Sequence, residues 1–135
     1  MEADVMLAIV AMVGYGVTAV IYKLAGKEID AVTLTLITAF FMTLVALAAW
    51  LLVKEKHVST SGASLAVAAG IIAGIAFLAF VYSIQLGKSS VSASIRGLSF
   101  LVTFVIAAVF LSEKLSLTQL AGLVLAVLAL VLLSV

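Results

Sequence analysis

Apolar residues run almost without interruption for about 20 positions at a time, five times over, with only short polar stretches between the runs. A helix crossing about 30 Å of hydrocarbon needs about 20 mostly apolar residues. The pattern therefore predicts five transmembrane helices, over residues 5–22, 31–53, 63–86, 91–111 and 117–135. Spanning β-strands would need only about 9–11 residues and would alternate apolar with polar, whereas these runs are about twice that long and do not alternate. The expected fold is all-α, an integral membrane bundle of five helices. The stretches between them, 23–30, 54–62, 87–90 and 112–116, are too short to fold as a water-soluble domain. One transmembrane domain, 1–135, is expected, and any activity has to be built from the helices.

Composition agrees: 67% of residues are hydrophobic and 10% charged, with a mean hydropathy of +1.47, against roughly a quarter charged in soluble domains. Glu2 and Asp4 stand where a secretory signal would be basic, so the first run is read as a retained helix. With no cysteine, disulfide and thiolate chemistry are both absent. His57 lies in a connector beside Lys54, Glu55 and Lys56, and reads as a solvated loop histidine rather than a metal ligand. No metal or cofactor is expected. The chain offers no nucleophile with its base, no ligand cluster and no phosphate loop, which argues against an enzyme. The net charge of +1 identifies no partner, and nucleic acid is not expected.

The lysines bear on orientation. Five crossings put the N-terminus and the second and fourth connectors on one side, A, and the first and third connectors and the C-terminus on the other, B. Basic residues accumulate on the cytoplasmic side of membrane proteins. Here side A carries Lys54, Lys56 and Lys114 and side B carries Lys23, Lys27 and Lys88, with Arg96 inside the fourth run. The balance is close to even, which permits insertion in both orientations and an antiparallel homodimer. A small bias or a partner chain fixing one orientation is the alternative.

Polar residues within the runs follow helical spacing. Ser92, Arg96, Ser99 and Thr103 share one face of the fourth run, Tyr15, Thr18 and Tyr22 one of the first, Thr35 and Thr38 one of the second, and Tyr82, Gln85 and Ser89 one of the third. The fifth carries Thr118 and Gln119 near its start and is otherwise apolar, so it reads as peripheral. Thr18, Tyr22, Thr35, Thr38, Tyr82, Gln85, Ser92 and Arg96 all fall in the half of the membrane nearer side B. The pattern suggests a polar vestibule opening to side B, and two antiparallel copies would place one at each surface, as in alternating-access carriers built from inverted repeats. Against this, Ser and Thr often bond to their own helix and Tyr favours the interface.

Arg96 lies about 8–10 Å inside the fourth run at 1.5 Å per residue, where a charge costs at least roughly 2.5–3.5 kcal/mol. Either it faces the vestibule and offers its fork to a carboxylate, phosphate or lipid headgroup, or it snorkels to the side B headgroups. Lys23, at a helix end, reads as snorkelling or solvated. All six acids, Glu2, Asp4, Glu28, Asp30, Glu55 and Glu113, lie at a terminus or in a connector. No intramembrane carboxylate relay is available, which argues against a proton-driven exporter of organic cations. Ala66, Gly70 and Gly74 form a small-residue ridge on the third run that would let helices approach closely. The absence of proline removes the strongest kink signal.

The segments "GYGVTAVIYKLAGKEID", "GIAFLAFVYSIQLGKSSVSAS" and "LSEKLSLTQLAGLVLAVLALVLLS" resemble the EamA-type repeat of the drug/metabolite transporter superfamily over nearly the whole chain. The most specific part is the Glu113-Lys114-Leu115 turn followed by Gln119 and Gly122. Such proteins commonly carry two five-helix repeats in inverted orientation. With one repeat, the chain resembles the single-repeat bacterial and archaeal branch, which implies pairing. It departs from relatives in lacking prolines near Ser94 and Phe100, in having Arg96-Gly97 where an acidic-basic pair is frequent, and in having Thr38 where an arginine is frequent. A relative's substrate therefore does not carry over.

The resemblance and the residues together imply a multi-pass protein of a prokaryotic cytoplasmic (inner) membrane, working as a homodimer in contact with membrane lipid. It would move a small metabolite, anionic or zwitterionic, by alternating access. Tyr15, Thr18, Thr38, Tyr82, Gln85, Arg96 and Ser99 would line the pathway. The alternatives are a lipid-headgroup flippase and a non-transporting assembly subunit of a membrane complex.

Overall fold

The computed structural model describes residues 3–110 and 116–134, and among them every regular element is a helix. In chain order these are α1 (Ala3–Ala25), α2 (Ala31–Leu52), α3 (Thr60–Leu86), α4 (Ser89–Gly97), α5 (Ser99–Phe110) and α6 (Leu117–Ser134). Ala3–Ala25, Ala31–Leu52, Thr60–Leu86 and Ser89–Ala107 are long and apolar enough to cross a membrane, and Leu117–Ala129 within α6 is a shorter apolar helix. The protein is an all-α, multi-pass membrane bundle of five spans.

Three of the spans differ from the expected limits, for local reasons. α1 continues to Ala25 past Lys23, because lysine is a good helix former and its charge is favourable at the carbonyl end of a helix. α3 begins at Thr60 because the Ser59 hydroxyl accepts the Gly62 N–H at 3.0 Å and the Ser59 carbonyl accepts the Ala63 N–H at 2.9 Å, which caps the first turn. The fourth span is two helices instead of one. Leu98, at φ −64° and ψ −10°, donates to the Ile95 carbonyl at 3.0 Å and accepts from the Leu101 N–H at 2.9 Å. Both bonds span three residues rather than four, so the helix tightens locally into a 3₁₀ turn. The cause is Gly97, the poorest helix former after proline, set among Ser92, Ser94 and Ser99, residues that compete for backbone bonds.

The chain divides into two compact units, Met1–Leu86 and Gly87–Val135. In the first, α3 packs against both α1 and α2. Its buried residues are Ala19, Tyr22, Ala31, Leu34, Phe80, Val81 and Ile84, all at the side B end of their helices, and Tyr22 meets Phe77 edge to face with ring centroids 5.7 Å apart. Toward side A the same stripes continue, through Ala11 and Tyr15 on α1, Met42 and Val45 on α2, and Ala66, Gly70 and Gly74 on α3, but every one of these residues is exposed, so the unit is packed at its side B end and uncovered toward side A, the reverse of the vestibule opening to side B that the polar pattern suggests. The ridge on α3 thus does not bring helices together within the unit: nothing lies within 4 Å of a Cβ built at Gly70 or Gly74. Such exposure carries no hydrophobic penalty in lipid, whose tails are as apolar as the side chains. In the second unit α4 packs against α5 and α6, with Ser92 its buried polar residue.

The helix ends are secured by polar side chains. Before α6, the Ser116 N–H donates to Gln119 Oε1 at 2.8 Å and the Gln119 N–H donates to Ser116 Oγ at 3.2 Å, a reciprocal capping box. At the end of α2, the Lys56 ammonium stands over the Trp50 ring, 3.7 Å from its centroid, a cation–π contact of the kind that anchors a helix at the interface. Before α2, the Asp30 carboxylate accepts the Val32 and Thr33 N–H groups at 2.9 Å and the Thr33 hydroxyl at 2.7 Å. The Thr33 hydroxyl first, then the two N–H groups, hold the Asp30 carboxyl below the usual carboxylate range. A lowered value makes the cap's contribution complete above that range and lost as pH falls through the lowered value. Thermal unfolding in detergent should therefore show a small loss of stability on acidification in the native chain. Asp30→Asn, which keeps an acceptor but cannot titrate, should flatten that response, and Asp30→Ala should lose the cap at every pH.

Candidate functional site

The residues singled out in the sequence divide between the units: Tyr15, Thr18, Thr38, Tyr82 and Gln85 lie in the first, and Arg96 and Ser99 in the second. On α1, Tyr15 is in register with the packed stripe of Ala19, Tyr22 and Gly26 but sits above the level where α1 is covered, and is 54% exposed. Thr18 is half-buried beside it. Its hydroxyl donates to the Gly14 and Tyr15 carbonyls at 3.1 and 3.0 Å. Thr38 is half-buried on the packed stripe of α2. Tyr82 flanks the packed stripe of α3 and remains 44% exposed.

Much of the hydroxyl pattern is accounted for by bonds within a helix. Thr35 donates to the Ala31 carbonyl at 2.7 Å, Ser94 to Ser90 at 2.9 Å and Thr103 to Ser99 at 3.1 Å, the back-bonding expected of these side chains in helices. Their periodicity marks a face, while the hydroxyl itself is engaged. Tyr22 is core, held by Phe77.

Gln85 belongs to a polar junction at the side B end. Its Nε2 donates to the Ile29 carbonyl in the first connector at 3.2 Å. Beside it the Lys23 ammonium donates to the Ile84 carbonyl at 2.9 Å and the Gln85 carbonyl at 3.2 Å. These belong to the last turn of α3, whose final carbonyls have no partner within the helix and whose negative dipole end favours a cation. Lys23 is half-buried and tied to protein, which replaces the solvated reading of its position. Gly26 makes the junction possible: a Cβ there would stand 2.6 Å from Gln85 Cγ and 2.7 Å from its Nε2. The sequence alone gives Lys23 no part in such a junction and does not single out Gly26. A glycine just past a helix end and a lysine in the last turn were the available signals, but both also describe an ordinary helix terminus.

In the second unit Arg96 is half-buried in the last turn of α4, immediately before the break at Leu98. The sequence placed it inside a continuous span. A position at the carbonyl end of a helix segment gives its charge a favourable dipole, which lowers the cost of holding it at depth. Ser99 opens α5 and is exposed. Broken spans are where membrane carriers commonly build their sites, since helix ends and tightened backbone present polar groups within the bilayer. The Glu113-Lys114-Leu115 turn lies outside the described residues. Among the described residues no cluster of His, Cys, Asp and Glu could hold a metal ion.

Comparison with known proteins adds one finding. The model of the EamA-like transporter family matches residues 3–135. No curated protein and no solved structure matches.

Proposed function

The chain belongs to the EamA-like transporter family, and from that premise we propose that it moves a small polar metabolite across a prokaryotic cytoplasmic membrane by alternating access, as an antiparallel homodimer. In this reading residues 1–135 act as one transmembrane domain. The observation that carries it is the break of the fourth span beside Arg96, the sole arginine of the chain. A guanidinium at the end of a helix segment inside a span is suited to a carboxylate or phosphate, so the substrate is anionic or zwitterionic. Arg96 orients that group; Ser99, in the same unit, and Tyr15, Thr18, Thr38, Tyr82 and Gln85, in the other, are the pathway residues this reading assigns. No cofactor is required by this scheme.

The test is reconstitution of the purified chain into liposomes, followed by counterflow of labelled anionic, zwitterionic and cationic solutes. Exchange of at least one anionic or zwitterionic solute above protein-free liposomes is expected. Exchange confined to cations would overturn the role given to Arg96. A second reading, a lipid-headgroup flippase, is favoured by the stripes of the first unit that stay exposed toward side A. Scrambling of a labelled phospholipid without flux of any soluble solute would select it. Absence of both activities, with a chain that gains order only on adding a partner, would select the assembly subunit.

A further inference from the structure

The junction at the side B end of the first unit has the properties of a reversible latch. One long side chain, Lys23, bridges α1 to the last carbonyls of α3. One amide, Gln85, bridges the end of α3 to the connector that leads into α2. These three segments converge on the buried residues of the unit, and farther along the same helices stop burying one another. Lys23 is half-buried rather than enclosed, so releasing its ammonium returns it to headgroups and water along a flexible stem instead of stranding a charge. The two freed carbonyls would then meet water at the interface. Both arrangements satisfy the polar groups, which is what a two-state element requires.

We propose that Lys23, Gln85 and Gly26 form a latch that holds the side B end of the first unit closed, and that its release separates the end of α3 from α1 and the first connector. The inference rests on the transport reading, in which side B must open and close. It assigns Lys23 a positioning role through the α3 terminus. Gly26 is the contact on which closure depends, because a methyl group there would push Gln85 off the Ile29 carbonyl.

The chain lacks cysteine, so a single reporter can be placed beneath the latch. Ala31, 1% exposed at the first turn of α2, changed to cysteine, is labelled in reconstituted membranes with a water-soluble thiol reagent. Slow labelling is expected with the latch intact. Lys23→Met should raise the rate by roughly tenfold or more, the scale of one lost charge-assisted hydrogen bond, and Gly26→Ala, separately, by roughly three- to tenfold, the scale of a lost neutral one, with the thermal midpoint little changed. Lys23→Arg, which keeps a cationic donor, should restore slow labelling. An unchanged rate in both Lys23→Met and Gly26→Ala would overturn the latch. So would acceleration matched by a proportional fall in thermal stability, which would make the junction an ordinary part of the core. Should Lys23→Met fail to fold, Gly26→Ala decides alone, since it removes no polar group. Labelling requires no substrate, so a latch that fails while counterflow persists, and a transport reading that fails while the latch opens, give different results.

Discussion

Arg96→Gln should reduce flux of an anionic or zwitterionic substrate by roughly ten- to a hundredfold while leaving the protein folded and assembled. The magnitude follows from the interaction removed: a charge-assisted hydrogen bond contributes about 1.5–3 kcal/mol, and every 1.4 kcal/mol is about tenfold. Glutamine keeps a donor and much of the length but loses the charge and the planar fork that engages a carboxylate or phosphate through two bonds. The fold should tolerate the change, because Arg96 is half-buried in the last turn of α4 rather than in the packed interior. Counterflow per reconstituted protein gives the first readout, and gel filtration with chemical cross-linking gives the assembly state. A second outcome is also informative: loss of anion flux with gain of a neutral solute would place Arg96 at the point of discrimination. Unchanged flux across anionic, zwitterionic and neutral solutes would remove Arg96 from the mechanism and leave it a snorkelling residue.

The spans were legible in the sequence because bilayer thickness imposes a length that no other constraint in the chain imitates. Their ends were less so, since hydropathy stops at a charge and a helix does not. Lys23 ended the apolar run, yet α1 continues to Ala25 because that charge has the α3 carbonyls to bind. The break in the fourth span was missed for a related reason. The absence of proline removes the strongest kink signal, while Gly97 among serines is the weaker one that applies here. Helical spacing groups Thr18, Thr35 and Thr103 with other polar residues, but spacing cannot show that each hydroxyl is bonded to its own helix, nor that the break divides Ser92 and Arg96 on α4 from Ser99 and Thr103 on α5. Nor can it reveal Gly26, whose requirement is created by Gln85, far away in the chain. The family resemblance rested most on a turn and on Gln119. The turn lies outside the described residues, and Gln119 has a physical role in capping α6.

Topology should prove dual, with each connector found on both sides of the membrane in about equal shares, because the lysines of the chain give neither side a clear excess. The structure determines where the question can be asked. Cysteine at Gly26 would collide with Gln85, and at Gly62 it would stand 2.9 Å from the Ser59 hydroxyl that caps α3. Glu28, exposed in the first connector, and Val58, 83% exposed in the second, are free of both problems, and replacing either leaves the lysine balance intact. Intact cells expressing one single-cysteine variant at a time are treated with an impermeant thiol reagent. About half-labelling at both positions is the expected result and makes the antiparallel homodimer the working assembly. Full labelling at one position and none at the other would reject that dimer and require an oppositely oriented partner chain. The near balance also supplies a sharper check. One added lysine at Val58 should be enough to bias the chain toward side A in the cytoplasm, and flux should fall as the opposed copies are depleted. Flux that persists when every copy faces one way would show that a single orientation suffices, and the pairing of opposed repeats would have to be abandoned.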